Sequence, residues 1–194
     1  IVLDSKIVRE GDKLVIVYTQ KFGKIRAVAK GAAKTASRLC CLLEPFCESD
    51  FIFYVQGRSR YHKITTAVLL DTHKELRDSL ERSLAALNSL EICNKLTPPG
   101  DPDAARYNLL KRTMELLMTA RNPSLINIAF KVRFLKYSGY DFCKFVGAGE
   151  MAEAVRKFSV SSGKEIDALK IVPATQKILE SSLDRYIDAI VNGR

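Results

Sequence analysis

Lys21, Lys24, Arg26, Lys30, Lys34 and Arg38 follow one another across residues 21–38 with no acidic residue among them. A second acid-free window, residues 116–140, carries Arg121, Lys131, Arg133 and Lys136. Cations at this density are the electrostatic footprint of a partner bearing many negative charges, such as a nucleic acid or an anionic surface. One such run alone reads slightly better as a solvated face. Two of them, in a chain with a net charge of +9 and a pI of about 9.4, favour the polyanion. The excess is uneven: residues 1–70 hold twelve Lys or Arg against six Asp or Glu, and residues 71–194 hold nineteen against sixteen.

Groups that break bonds are scarcer. Cys40, Cys41, Cys47, Cys93 and Cys143 are odd in number and form no C-x-x-C pair, which speaks against a disulfide framework. They are expected to be reduced, in a cytoplasmic protein. His62 and His73 stand far from every cysteine and lack a short ligand spacing, so no metal is expected. No phosphate loop, nucleophile elbow or H-E-x-x-H helix occurs. Gly31-Ala32-Ala33-Lys34 lacks the second glycine and the Lys-Ser/Thr pair that a phosphate loop needs. An enzyme would have to use Cys40, Cys41 or Cys47 with His62 or His73 as base, and nothing local joins them. The expectation is a binding protein that is not an enzyme and needs no cofactor. No stretch approaches the ~20 apolar residues of a membrane helix, and Ile1-Val2-Leu3-Asp4 does not begin a signal peptide, although the missing initiator Met leaves a trimmed start open.

The elements that must hold these cations change character near residue 71. Before it, residues 1–8, 13–19, 25–30, 51–55 and 61–70 are rich in β-branched and aromatic residues and are separated by turn residues. Five short strands at regular spacing predict a small, closed or partly open barrel, because closure removes exposed edges. In Ile25 to Lys30, alternation puts Arg26, Val28 and Lys30 on one face and Ile25, Ala27 and Ala29 on the other. After residue 71 the period becomes helical. Leu76, Leu80, Leu84, Leu87, Leu90 and Ile92 form one apolar stripe. Asp101 and Pro102 predict the start of a helix running to about Thr119, and Pro123 that of another closing at Ser138-Gly139. A short helix is expected near Glu150 to Lys157, and a last one from Pro173 to Asn192. The predicted architecture is α+β, a barrel over 1–70 followed by a helical domain over 71–194.

On such a barrel Lys24, Arg26, Lys30, Lys34 and Arg38 would neutralise phosphates, and Arg58 and Arg60 would add a second edge beside Tyr61. Tyr18, Phe22 and Tyr54 are candidates for base stacking, or equally for the barrel core.

Glu10-Gly11-Asp12, Thr19 with Phe22-Gly23-Lys24, Ala29-Lys30-Gly31-Ala32-Ala33-Lys34 and Ser37-Arg38-Leu39 resemble the N-terminal pattern of the bacterial RecO family. Pro45-Phe46, the Tyr54 to Arg60 strand and turn, and Phe134-Leu135-Lys136-Tyr137-Ser138-Gly139-Tyr140 follow in the same order. The resemblance implies an OB-fold domain and a helical domain in a recombination mediator of DNA repair. Such a protein binds single- and double-stranded DNA, anneals complementary strands, and with RecR helps to load RecA onto DNA coated by single-stranded DNA-binding protein. It also implies recognition of that protein's acidic C-terminal tail, for which Arg121, Lys131, Arg133 and Leu135 are the candidates. Many members carry a four-cysteine zinc module after the Gly-Tyr position. Here only Cys143 remains, and residues 141–172 resemble a remnant of it. The alternative is a generic OB-fold adaptor for single-stranded nucleic acid without mediator activity.

Overall fold

The computed structural model describes residues 1–8, 11–34, 37–55, 61–147 and 149–193. Strands β1 (Val2–Val8), β2 (Asp12–Thr19), β3 (Gly23–Ala29), β4 (Glu48–Tyr54) and β5 (His62–Asp71) form one sheet in the order β1-β2-β3-β5-β4. All neighbours are antiparallel except β3 and β5, which run parallel. Ile25, Ala27 and Ala29 of β3 join Val15, Val17, Val2 and Ile64 in the core, while Arg26 and Val28 take the outer face. The sheet curls until the start of β1 meets the chain entering β4: Val2 N donates to Cys47 O at 2.9 Å and Phe46 N to Val2 O at 3.3 Å. This is the five-stranded OB barrel expected.

The chain divides into two compact units, residues 1–74 with 97–107, and residues 75–96 with 108–194. Periodicity gives no sign that 97–107 returns to the barrel. There Gly100 N donates to Lys24 O at 3.0 Å, and Pro99 forms a parallel bridge with Lys24. Tyr18 lies against Tyr107 with ring centroids 6.1 Å apart. The buried Arg106 guanidinium reaches Asp101 at 2.6 Å and Asp103 at 3.3 Å. The following helix, α2, spans Ala104–Leu117. Its cap is Asp103, whose carboxylate accepts from Arg106 N at 2.8 Å, rather than Asp101, which is committed to the Arg106 side chain. That backbone bond, aided by the Arg106 charge against some burial, holds the Asp103 carboxyl below its usual range.

Burial, then the Glu48 charge and the hydrogen bond to it, push the Tyr107 hydroxyl up to about 12. Its proton is therefore held more tightly in the folded chain than in the unfolded one, where the value is 10.0. The contribution is complete below pH 10 and is lost as pH rises through about 12. Denaturant titrations across this window should show stability falling more steeply in the parent than in Tyr107→Phe. Equal slopes would dismiss the coupling.

The second unit is built from α1 (Leu80–Leu96), the rest of α2, α3 (Pro123–Tyr137), α4 (Phe142–Val146), α5 (Glu150–Val160), α6 (Gly163–Asp167) and α7 (Pro173–Asn192). Helix α3 packs against α1, α4, α5, α6 and α7. It is apolar on nearly every side, the pattern of a helix buried all round rather than of a surface amphipath. Leu125, Ile126, Ile128, Phe130, Phe134 and Leu135 are all buried. The Asp167 carboxylate caps its start, accepting from Arg121 N and Asn122 N. Asn127 ties it to α1 by donating to Ala85 O and Ser89 Oγ, each at 2.9 Å. The α1 stripe departs from expectation. Leu76, Leu90 and Ile92 are buried, whereas Leu80, Leu84 and Leu87 are exposed.

Candidate nucleic-acid interface

The barrel's basic loop is a run of tight turns fastened to the β1–β2 hairpin. The Asp12 carboxylate accepts from Gly31 N at 2.7 Å, and Ala33 N donates to Gly11 O at 2.8 Å. Ala32 plugs the core and is fully buried. With the backbone held from below, Lys30, Lys34 and Arg38 are exposed, and among the described residues no carboxylate pairs with any of them. Their charge is available to an incoming polyanion.

Strand register extends this surface. On the outer face Lys6 pairs with Leu14, Leu14 with Val28, Val28 with Lys63, and Lys63 with Tyr54. Lys6 and Tyr54 are exposed, and Lys63 is half-buried. Lys30 lies in the turn directly after β3, two residues past Val28, at the same end of the sheet as this row. Arg26 is half-buried on that face, and its Nε is enclosed without a hydrogen-bond partner among the described residues. A buried, unsatisfied guanidinium N–H is a donor awaiting an anionic acceptor. Lys6 and Lys63 were not singled out in the sequence. Extending the period-2 alternation of β3 across its neighbours is the signal that would have found them.

Two expected contacts are withdrawn. Lys24 is only 6% exposed beneath Pro99 and Gly100. Tyr18 is fully buried against Tyr107 and offers no face to a base. Phe22 and Tyr54 are both exposed and retain the stacking role open to them. Arg58 and Arg60 lie outside the described residues.

The expected tail-binding cluster does not assemble as a surface. Leu135 is fully buried, and Lys131 is 3% exposed with its ammonium 2.6 Å from the Asp184 carboxylate. The Arg133 guanidinium is half-buried and donates to the backbone carbonyls of Phe158, at 2.9 Å, and Ser161. Burial, only partly opposed by the Tyr137 hydroxyl, holds its pKa below the usual arginine value. Arg121 alone is exposed. Because α3 is central, Lys131 and Arg133 find partners inside the helical unit, while Lys136 in its last turn stays exposed. Asp184→Ala should leave Lys131 buried and unpaired, costing about 2 kcal/mol of stability. Adding Lys131→Met should recover most of that loss in urea titrations, and failure to recover would show that the pair is not what matters.

Among the described residues no three His, Cys, Asp or Glu side chains come together. Cys143 lines a cavity beside Val132, Lys136, Tyr140 and Phe142 without a second thiol. His73 and Cys47 are buried on backbone carbonyls: His73 Nδ1 is 3.0 Å from Phe46 O, and Cys47 Sγ donates to Cys41 O. Among the described residues no helix is long and apolar enough to cross a membrane.

Comparison with known proteins bears on both units. Residues 1–73 match the family model for the N terminal of recombination protein O, and residues 77–143 match that for its C terminal. The DNA repair protein RecO of Desulforamulus reducens is 34% identical over 167 residues, covering 84% of this chain and 64% of the relative. That of Alkaliphilus metalliredigens is 31% identical over 165 residues, covering 84% and 66%. The RecO of a Thermoanaerobacter strain is 27% identical over 206 residues, covering 99% and 81%. The chain thus spans 64–66% of the first two relatives. With the OB barrel and the helices following in the order of the two matched models, the chain belongs to the RecO family.

Proposed function

We propose that this chain is a non-enzymatic recombination mediator of DNA repair, acting in the cytoplasm on single- and double-stranded DNA. The observation that supports it best is the set Lys30, Lys34 and Arg38 at one end of the barrel, exposed and without a carboxylate partner among the described residues. The outer-face row from Lys6 to Tyr54 continues from it. Annealing requires two polyanions to approach each other, and a surface that neutralises phosphates lowers that repulsion while releasing counterions. Exposed Tyr54 and Phe22 would stack on unpaired bases without choosing among sequences. Family membership supports the remaining parts of the role. These are partnership with RecR, recognition of the acidic tail of single-stranded DNA-binding protein, and indirect delivery of RecA to coated strands.

The deciding experiment is annealing of two complementary labelled oligonucleotides, bare and coated with single-stranded DNA-binding protein, at low and moderate salt. Acceleration that persists on coated strands and falls with salt is the expected result. Binding of bare strands without annealing of coated ones would leave only an OB-fold adaptor. No effect on either would remove nucleic acid as the partner of this surface.

A further inference from the structure

The helical unit carries a feature that neither the barrel nor the core explains. Phe142, Phe145 and Tyr186 form a three-ring cluster between α4 and α7, with centroid separations of 5.8 Å for Phe142–Phe145, 5.3 Å for Phe142–Tyr186 and 4.7 Å for Phe145–Tyr186. Phe142 is buried and anchors the group, whereas Phe145 is 57% exposed. An aromatic ring packed on two others yet open on its other side is a fixed platform, and stacking on it costs little ordering. Phe142 also lines the neighbouring cavity of about 380 Å³ together with Lys136, Tyr140 and Asp141.

The charges beside the platform select its occupant. Lys136 is exposed, and the Lys144 side chain is 86% exposed. The nearby Asp141 carboxylate accepts from Lys144 N at the start of α4 and lies 3.8 Å from the Lys144 ammonium, too far for a tight pair. One exposed lysine next to Phe145 in the chain and another on the adjoining cavity fit a partner that alternates phosphates with flat bases. An acidic peptide would instead want its carboxylates gripped by a buried or bidentate cation, but Arg133 of α3 is occupied by two carbonyls and Arg185, beside Tyr186 in the chain, is exposed with its Nε on Ser181 O.

We infer that the Phe145–Tyr186 platform binds single-stranded nucleic acid, one base stacking on Phe145 with Lys136 and Lys144 beside its phosphates. This goes beyond the barrel surface. It gives one chain two sites for polynucleotide, so that two strands can be held by a single molecule.

The chain contains no tryptophan, so Phe145→Trp creates a unique emitter at the platform. The probe is a thymidine homopolymer of about 20 nucleotides, added to the full chain in two backgrounds. One keeps the barrel loop intact, and the other carries Lys30→Ala, Lys34→Ala and Arg38→Ala. Quenching of the emission in both backgrounds is expected, because stacking would occur at a site separate from the loop. In the non-aromatic variant Phe145→Leu, oligonucleotide binding in the loop-neutralised background should fall about ten-fold, as expected for the loss of one stacked base. Far-UV circular dichroism shows whether that variant is folded.

Binding of the oligonucleotide without quenching would overturn the inference and leave the barrel reading intact. So would quenching by a short peptide of aspartate and phenylalanine but not by DNA. Quenching that survives while the loop variant binds as tightly as its parent would sustain the platform and defeat the barrel assignment.

Discussion

Replacing Lys30, Lys34 and Arg38 together with alanine should flatten the salt dependence of single-strand binding by about 2 in the slope of log K against log salt. Each phosphate neutralised on a single strand releases ~0.7 of a counterion, so three contacts make affinity vary roughly as the inverse square of salt concentration. Between 1 M and 0.15 M salt that amounts to roughly fifty-fold, the loss expected in the triple variant near physiological salt. Stability should hardly move, within about 0.5 kcal/mol, because all three side chains are exposed and have no carboxylate partner among the described residues, while Ala32 and the Asp12–Gly31 bond keep the loop in place. Fluorescence anisotropy at several salt concentrations, with a urea titration alongside, checks both halves. A variant with the parent's slope would show that these cations do not meet phosphate. A variant that is unfolded would show that the loop is structural.

Gly23→Ala should destabilise the protein by about 3 kcal/mol, well above the ~1–2 kcal/mol of a left-handed backbone alone. At φ +65° the added methyl is strained wherever it sits, and here it would also lie 2.4 Å from the backbone of Asp101. That backbone belongs to the 97–107 segment, so relief of the clash must lift it from the barrel and part Tyr107 from Tyr18 and Glu48. Gly100→Ala is the control. Its φ is +70°, but nothing lies within 4 Å of the new carbon, so only the conformational part, about 1 kcal/mol, should be lost. Thermal and urea melts give the energies, and the Tyr107 hydroxyl, pushed up to about 12 in the parent, should fall back toward 10.0 in Gly23→Ala alone. Equal effects of the two substitutions would mean that the segment does not lean on Gly23.

Local chemistry made much of this molecule legible. Turn residues and β-branched runs mark all five strands, and their alternation already separates Arg26, Val28 and Lys30 from Ile25, Ala27 and Ala29. Pro123 and Pro173 mark the starts of α3 and α7 as written. The loop cations were legible too, because the residues around Lys30 and Lys34 in the chain are small and carry no acid.

What the residues could not reveal is where a helix sits among other helices. Lys131 and Arg133 carry the same charges as Lys34 and Arg38, yet they end inside the helical unit on Asp184, Phe158 and Ser161, which are 25 to 53 residues further along. Helix α3 is apolar almost all round, and that pattern outweighs its acid-free composition as a guide to burial. Lys24 follows the same logic, since its cover comes from Pro99 and Gly100, beyond the whole of α1.

The amino-acid sequence by itself determined the barrel-then-helices order and the excess of positive charge around Lys30, Lys34 and Arg38. These follow from alternation, turn chemistry and net charge, all of which act between residues close in the chain. Only the tertiary structure decided which cations stay available, how Lys6, Lys63 and Tyr54 align across strands, and that Phe145 stands open on Tyr186. Burial and cross-strand register are set by contacts between distant segments, and a linear pattern holds no record of which distant segment arrives.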